Sequence, residues 1–492
     1  MTIDEAIRLA LQHYQAGNLQ QSEAIYREIL KVNQNNADVF FYLGLTLQTK
    51  GQLDDALACY QKAVELRNTF FTAYNNIGNI LQKKGQIDEA MTYYQKALQI
   101  DPKFPEAYNN LGTIFRDKGQ IDEAMTYYQK ALQINPNFSA AYNNLGTTFR
   151  DKGQIDEALT CYQKAIDLNS NFVEAHWNMA FTLLLNGNFQ EGWKEYEWRW
   201  KFQDHYLNNI TQPLWDGSNI KGRTVLLHAE QGLGDTIQFI RYATLVAQLG
   251  AKIIVGCQKE LSRIIQTVKG IDKVIPYGDP FPMFDLHCPL LRLPLIFETT
   301  LESIPIEIPY IAVDPLSVIN WKEKIQNQHS AKFKIGLVWA GRPSHINDRN
   351  RSFSLEIFSP FAGLSNISFY TLQKGEATKQ AKDPPRGLKL VDFTDEIKDF
   401  LDTAALIQNL DLVISADTAV AHLAGAMGKS VWTLLPFSPD WRWMLNREDS
   451  PWYPTMKLFR QPSYGDWKSV IDRISAELKT VKSDNFLKLN LK

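Results

Sequence analysis

Six glycines recur at one fixed interval of 34 residues: Gly17, Gly51, Gly85, Gly119, Gly153 and Gly187. A self-similar period of that length calls for stacked supersecondary units, not a single globular core. The segment from Pro105 to Phe138 shows what one unit contains. Tyr108, Leu111, Ile114 and Phe115 recur at helical spacing. Gly119 then ends that helix, at a place where positive φ is easiest for glycine. Ile121, Ala124, Met125, Tyr128, Ala131 and Leu132 form the apolar stripe of a second helix, and Pro136 closes the unit. Gly112 and Ala124 are small where the two helices approach.

This unit resembles a tetratricopeptide repeat, whose period is the same. Six units succeed one another, at 3–36, 37–70, 71–104, 105–138, 139–172 and 173–206. Residues 1–206 are therefore read as an α-solenoid, a superhelix with a concave face. Asn76, Asn110, Asn144 and Asn178 hold one place in successive first helices. An amide both donates and accepts, so such a column suits the backbone of an extended protein or peptide partner. It is equally read as part of the repeat's common pattern. The last unit ends in Trp193, Tyr196, Trp198 and Trp200, a run suited to cementing the array to the next domain.

Composition excludes several classes. A formal net charge of −2 gives no reason to expect nucleic acid as a partner. No stretch reaches the roughly 18 apolar residues of a membrane span, and the N-terminus lacks the basic start and apolar run of a signal peptide. Cys59, Cys161, Cys257 and Cys288 are widely spaced and form no metal or redox pattern. Together these features favour a cytoplasmic protein with reduced thiols.

Beyond residue 206 the pattern changes to strand, turn and helix. Val225–His228 reads as a buried strand, Glu230–Asp235 as a glycine-bearing turn, Thr236–Leu249 as a helix and Ile253–Val255 as a strand. Weaker strands are expected at Lys273–Ile275 and Phe284–Leu286. A second series opens with Ile335–Trp339 and continues at Ser368–Leu372, Lys389–Val391, Leu412–Ser415 and Val431–Leu435. Its helices are expected to begin at Ser354 and to cover Asp399–Gln408, Thr418–Met427 and Asp466–Lys479. The expectation is two Rossmann-like α/β domains, 207–314 and 315–492, with a ligand cleft between their strand ends.

Three loops carry residue types suited to chemistry. In Glu230-Gln-Gly-Leu-Gly-Asp235, Gly232 and Gly234 permit a tight turn. Asp235 is read either as a helix cap or as a general base for an acceptor hydroxyl. In the run 412–428 a buried strand ends at Asp417, and the free amides of Thr418, Ala419 and Val420 suit a diphosphate. Asp417 would orient sugar hydroxyls or cap the helix. His422, one turn in, would help neutralise phosphate if protonated, or else sit buried between helix and sheet. The third loop, Trp339 to Arg351, carries Arg342, Arg349 and Arg351, and Lys374 comes after the next strand. These cations suit phosphate, or the ordinary charge of a surface loop. Pro436–Trp443 brings aromatics that would stack on a ligand or cover the sheet edge.

Gly-Leu-Gly-Asp at 232–235, with Asp-Thr-Ala-Val-Ala-His-Leu-Ala-Gly-Ala at 417–426, resembles glycosyltransferase family 9, the heptosyltransferase-like group. Joined to repeats, and ending in Pro-Asp-Trp-Arg-Trp and Asp449-Ser-Pro-Trp-Tyr453, the chain is similar to the bacterial tetratricopeptide-repeat glycosyltransferases. Its organisation also resembles that of the O-GlcNAc transferases. The resemblance implies a GT-B fold and an inverting, metal-independent transfer from a nucleotide-diphosphate sugar, with no other cofactor. It implies a base at Asp235, diphosphate on the backbone at Thr418–Val420 and a cation at Arg351. Heptosyltransferases usually show lysine before Trp-Pro in that last loop. Here the run is Arg351-Ser-Phe-Ser, so the donor sugar does not carry over. The competing expectations are a partner-binding scaffold with an inactive nucleotide-binding module, and an epimerase acting on a free nucleotide sugar.

Overall fold

The helix-ending glycines adopt the backbone that their spacing demands. In a computed structural model describing residues 1–201, 210–326, 333–345, 347–364 and 366–480, all six have φ between 77° and 83°. The Gly51 amide donates to the Gln48 carbonyl, and the next amide, of Gln52, donates to Leu47. This pair of bonds satisfies two carbonyls that the helix end leaves open. The chain divides into two compact units, Met1–Asn178 and Met179–Lys492. The expected boundary between 206 and 207 lies outside the described residues.

The first unit is a solenoid of paired helices. First helices of 13 residues, such as Pro105–Asp117, alternate with second helices of 14, such as Ile121–Ile134. The small residue of each first helix receives a ring from the second. A Cβ on Gly44, Gly78, Gly112 or Gly146 would stand 2.5 to 2.8 Å from a ring carbon of Tyr60, Tyr94, Tyr128 or Tyr162. Each of these rings is buried completely. The repeat therefore closes by ring-into-notch packing, which favours dense cores.

The second unit begins with the end of the last repeat, whose second helix, Phe189–Tyr196, is cut to eight residues. Among the described residues it then holds ten strands: β1 Thr224–His228, β2 Lys252–Cys257, β3 Lys273–Pro276, β4 Leu286–Pro289, β5 Phe333–Val338, β6 Ile367–Thr371, β7 Leu390–Val391, β8 Leu412–Ala416, β9 Val431–Leu435 and β10 Met456–Arg460. They form two all-parallel sheets, ordered β3-β2-β1-β4 and β10-β9-β8-β5-β6-β7. Counted within its own half, the second sheet reads 3-2-1-4-5-6, the doubly wound order, and the first is its four-stranded beginning. Central strands such as β8 and β9 are buried on both faces, as their unbroken apolar runs require. The region is α/β. Among the described residues no helix is long and apolar enough to cross a membrane.

Several elements depart from expectation, among them the helix Pro315–Gln326, which was not expected, and a 3-10 turn over Leu355–Phe361 where a helix was expected to begin at Ser354. The helix expected over Thr236–Leu249 is instead Leu233–Phe239, a tighter turn over Ile240–Tyr242, then Ala243–Gln248. The Arg241 side chain folds back and its Nε donates to the Gln238 carbonyl at 2.8 Å, an acceptor that a continuous helix uses itself. Strand β10 was not expected. It lies at the sheet edge, where lysine and arginine interrupt the apolar run.

Candidate active site

Doubly wound sheets bind ligands outside the carboxyl ends of their strands, where the strand order reverses. Here the reversals fall between β1 and β4 and between β5 and β8. The loops that leave β1, β5 and β8 are the three whose residue types suit chemistry.

After β1, Gly232 is the N-cap of the helix Leu233–Phe239, and its amide donates to Asp235 Oδ2 at 2.7 Å. Asp235 therefore does cap its helix. Its other oxygen, Oδ1, accepts from Nη2 of Arg442, which lies on the turn after β9. The carboxylate retains 20% exposure. Gly234 is small for a local reason: a Cβ there would stand 2.9 Å from Cδ2 of His422. The helices after β1 and β8 thus meet at Gly234.

After β8, the amides of Ala421 and His422 return to the Thr418 carbonyl, so those of Thr418, Ala419 and Val420 have no intrahelical acceptor. The Thr418 hydroxyl turns to Ser415 Oγ, 3.1 Å away, and does not cap the helix. Arg351 Nη1 donates to the Asp417 carbonyl at 3.1 Å, which brings the loop after β5 against the loop after β8. Asp417 is buried, and burial together with the charge of Asp440 pushes its pKa up to about 6. His345, exposed on the loop after β5, is drawn below the usual histidine range by partial desolvation and by Arg351, while Asp235 and Asp440 oppose that shift.

Of the two readings of His422, protonated beside phosphate or buried between helix and sheet, its surroundings match the buried one. The ring is buried, Nδ1 lies 2.9 Å from the Tyr453 hydroxyl, and the ring stacks on Trp443 at 5.2 Å. Burial, with Arg442, Arg241 and Arg351 nearby, drives its pKa well below 6.5. His422 is a neutral packing residue between helix and aromatic wall.

The remaining cations divide. Arg342 is exposed on its loop. Lys374 gives its ammonium to the carbonyls of Thr394 and Ile397, at 2.7 and 3.0 Å, so it is directed to the loop after β7. Its neighbour Gln373 is buried and accepts from the amides of Trp339 and Ala340, stitching the ends of β5 and β6. In the first unit, the asparagine column binds between repeats. Asn110, Asn144 and Asn178 donate through Nδ2 to Oδ1 of Asn75, Asn109 and Asn143 in the preceding unit, at 2.9 to 3.0 Å. Asn76 occupies the same place one repeat earlier and is half-buried.

The sequence pattern missed Arg442, Asp440 and Gln238, and the pair Arg199–Glu230. Arg442 donates through Nη1 to Asp440 at 2.9 Å and through Nε to Gln238 Oε1. Arg199 is 3% exposed and grips Glu230 with two nitrogens, at 2.7 and 3.1 Å. It thereby holds the loop of Asp235 from the end of the last repeat. Tyr196 supports the same loop, donating to Gln231 at 3.3 Å. One signal was present: a single arginine set between tryptophans, as in Trp198-Arg199-Trp200 and Trp441-Arg442-Trp443, marks a cation that must be paired when buried.

Models described as TPR repeat match residues 49–85, 78–115 and 146–187, and models described as tetratricopeptide repeat match 105–138, 25–58 and 127–160. Residues 25–187 are tetratricopeptide repeats. The chain is 26% identical over 327 residues to Protein FlbA of Caulobacter vibrioides, a match covering 60% of this chain and 53% of FlbA. The chain thus spans about half the length of that relative. Because residues 1–201 are well under 60% of the chain, the match extends into the α/β region. Among solved structures, MamA is 27% identical, with a TM-score of 0.30, covering 35% of this chain and 96% of its own. The thermophilic TPR protein TTC0263 of Thermus thermophilus is 20% identical, with a TM-score of 0.33, covering 37% and 98%.

Proposed function

We propose that the chain is a glycosyltransferase of GT-B type, moving a sugar from a nucleotide-diphosphate sugar to an acceptor hydroxyl. The repeats would bind the acceptor, a protein or peptide, or a partner that delivers it. One observation carries the reading: a carboxylate in the first helical turn after β1 pairs with Arg442 after β9, while Arg351 after β5 reaches the loop that opens the helix after β8.

In this reaction Asp235 takes the proton of the acceptor O–H as that oxygen bonds to the anomeric carbon. The bond from that carbon to the diphosphate oxygen breaks on the opposite face and its electrons leave with the diphosphate. A single displacement inverts the centre. Arg351 and the amides of Thr418, Ala419 and Val420 would stabilise the leaving charge, with no metal assigned a step. Asp417 would orient sugar hydroxyls.

The test is incubation with UDP-, ADP- and GDP-sugars, scoring release of the nucleotide. Asp235→Asn is expected to slow transfer by about 100-fold or more, and a variant as fast as the parent removes Asp235 from the role of base. A second reading has one observation in its favour. Both oxygens of Asp235 are already engaged, by the Gly232 amide and by Arg442. A partner-binding repeat scaffold with a non-catalytic nucleotide module would show nucleotide binding without turnover.

A further inference from the structure

A carboxylate that must accept a proton is here tied to a guanidinium. Arg442 is 8% exposed and all three of its nitrogens are committed: Nη2 to Asp235, Nη1 to Asp440, Nε to Gln238. The group packs over aromatic rings, with its central carbon 4.4 Å from the Trp441 ring centroid and 5.7 Å from that of Phe239. Asp235 and Gln238 belong to the helix after β1, whereas Arg442 and Asp440 come after β9. The contact is therefore a direct charged link between the two sheets' strand-end loops. Asp235 and Asp440 pair with it directly, and Asp440, Arg351 and Arg442 all act on a third carboxylate, Asp417. An anion arriving at the helix start beside Asp417 enters the field of the same guanidinium.

We propose that Arg442 is a positioning residue shared between Asp235 and the donor's diphosphate. Without an anion it holds Asp235 at Oδ1. When a nucleoside diphosphate occupies the helix start at Thr418–Val420, Nη2 transfers to a phosphate oxygen and Oδ1 becomes open to the acceptor hydroxyl. The guanidinium suits this exchange because it stays charged and offers a planar fork to either carboxylate or phosphate. The base is thus released only once the leaving group is in place, which makes donor binding precede acceptor activation. This inference rests on the nucleotide-sugar reading of the same site.

The experiment is an equilibrium cycle on the full chain, with UDP, ADP and GDP as probes and calorimetric titration as the readout. Asp235→Asn removes the charge competing for Arg442 and is expected to tighten binding of the recognised diphosphate by about 5-fold, a coupling of ordinary size for contacting groups. Arg442→Gln is expected to weaken it by about 10-fold, as loss of a charge-assisted phosphate contact does. The decisive result is the double variant, in which the gain from Asp235→Asn disappears. If that gain persists in the Arg442→Gln background, the effect is only the general field of Asp235 and the proposal falls. It also falls if Asp235→Asn binds no more tightly than the parent. Arg442→Lys, which keeps the charge but not the fork, replaces Arg442→Gln should the latter lose the parent's near-ultraviolet tryptophan signal. If the parent binds none of the three diphosphates, the nucleotide-sugar reading itself is refuted, and this inference with it.

Discussion

Asp417 shows how one residue's surroundings set a measurable property. Its carboxyl is buried beside Asp440, and its pKa moves from 3.8 up to about 6. In the unfolded chain it ionises at the lower value, so between the two the folded protein keeps a proton that the unfolded chain has lost. Stability from this group is complete below about pH 4 and declines as pH rises through the folded value. Asp417→Asn is accordingly expected to be no more stable than the parent at pH 4 and more stable at pH 7, by thermal unfolding at both. Arg199 makes the opposite case, a cation whose removal strands its partner. Arg199→Met leaves Glu230, 7% exposed, without its cation, and the expected loss is about 3–5 kcal/mol. Adding Glu230→Gln is expected to restore part of that loss, and chemical unfolding of the parent and the two variants checks it. The motif residues Asp235 and Asp417 were legible because their spacing to glycines and small residues is local. Arg442 was not, because its partner Asp235 lies 207 positions away.

At the scale of elements, the period of the glycines translated directly into structure because a helix end is a local problem. Gly119 has φ +77° and nothing within 4 Å of an added Cβ. Gly119→Ala therefore meets no clash, and its expected cost of about 1–2 kcal/mol is that of the left-handed backbone alone. Urea unfolding monitored by far-ultraviolet dichroism measures it, and an unchanged midpoint would rule out backbone strain there. Buried parallel strands were legible for a similar reason, since β8 and β9 are unbroken apolar runs between turns. The helix after β1 was read as continuous because its apolar spacing is helical. What interrupts it is Arg241, whose guanidinium also reaches the carbonyls of Pro305 and Trp452 at 3.0 and 2.9 Å. Those acceptors lie far along the chain, so no local pattern records them.

For the whole molecule, the last half-repeat belongs to the second compact unit. Within that unit Trp193 lies edge-on to Trp441, with ring centroids 5.3 Å apart, and Phe189 stacks on Trp452 at 6.0 Å. Trp193 Nε1 also donates to the Thr299 carbonyl at 3.0 Å. A fragment of residues 207–492 would lose these rings and Arg199 together. It is expected to melt well below a fragment of residues 173–492, with a weakened near-ultraviolet tryptophan signal, and equal melting of the two would refute the structural role of this seam. The sequence by itself determined the repeat stack, the succession of strand, turn and helix, and the positions of Asp235 and of the helix start at Thr418. All of these come from periodicity and from the conformational limits of single residues. Only the tertiary structure decided which charges meet. It made His422 neutral, turned Lys374 toward backbone carbonyls, spent the Asn110, Asn144 and Asn178 amides between repeats, and set Arg442 against Asp235. Electrostatic and hydrogen-bond partners are chosen by distance through space and by the loss of water, and neither quantity is written in the order of residues along a chain.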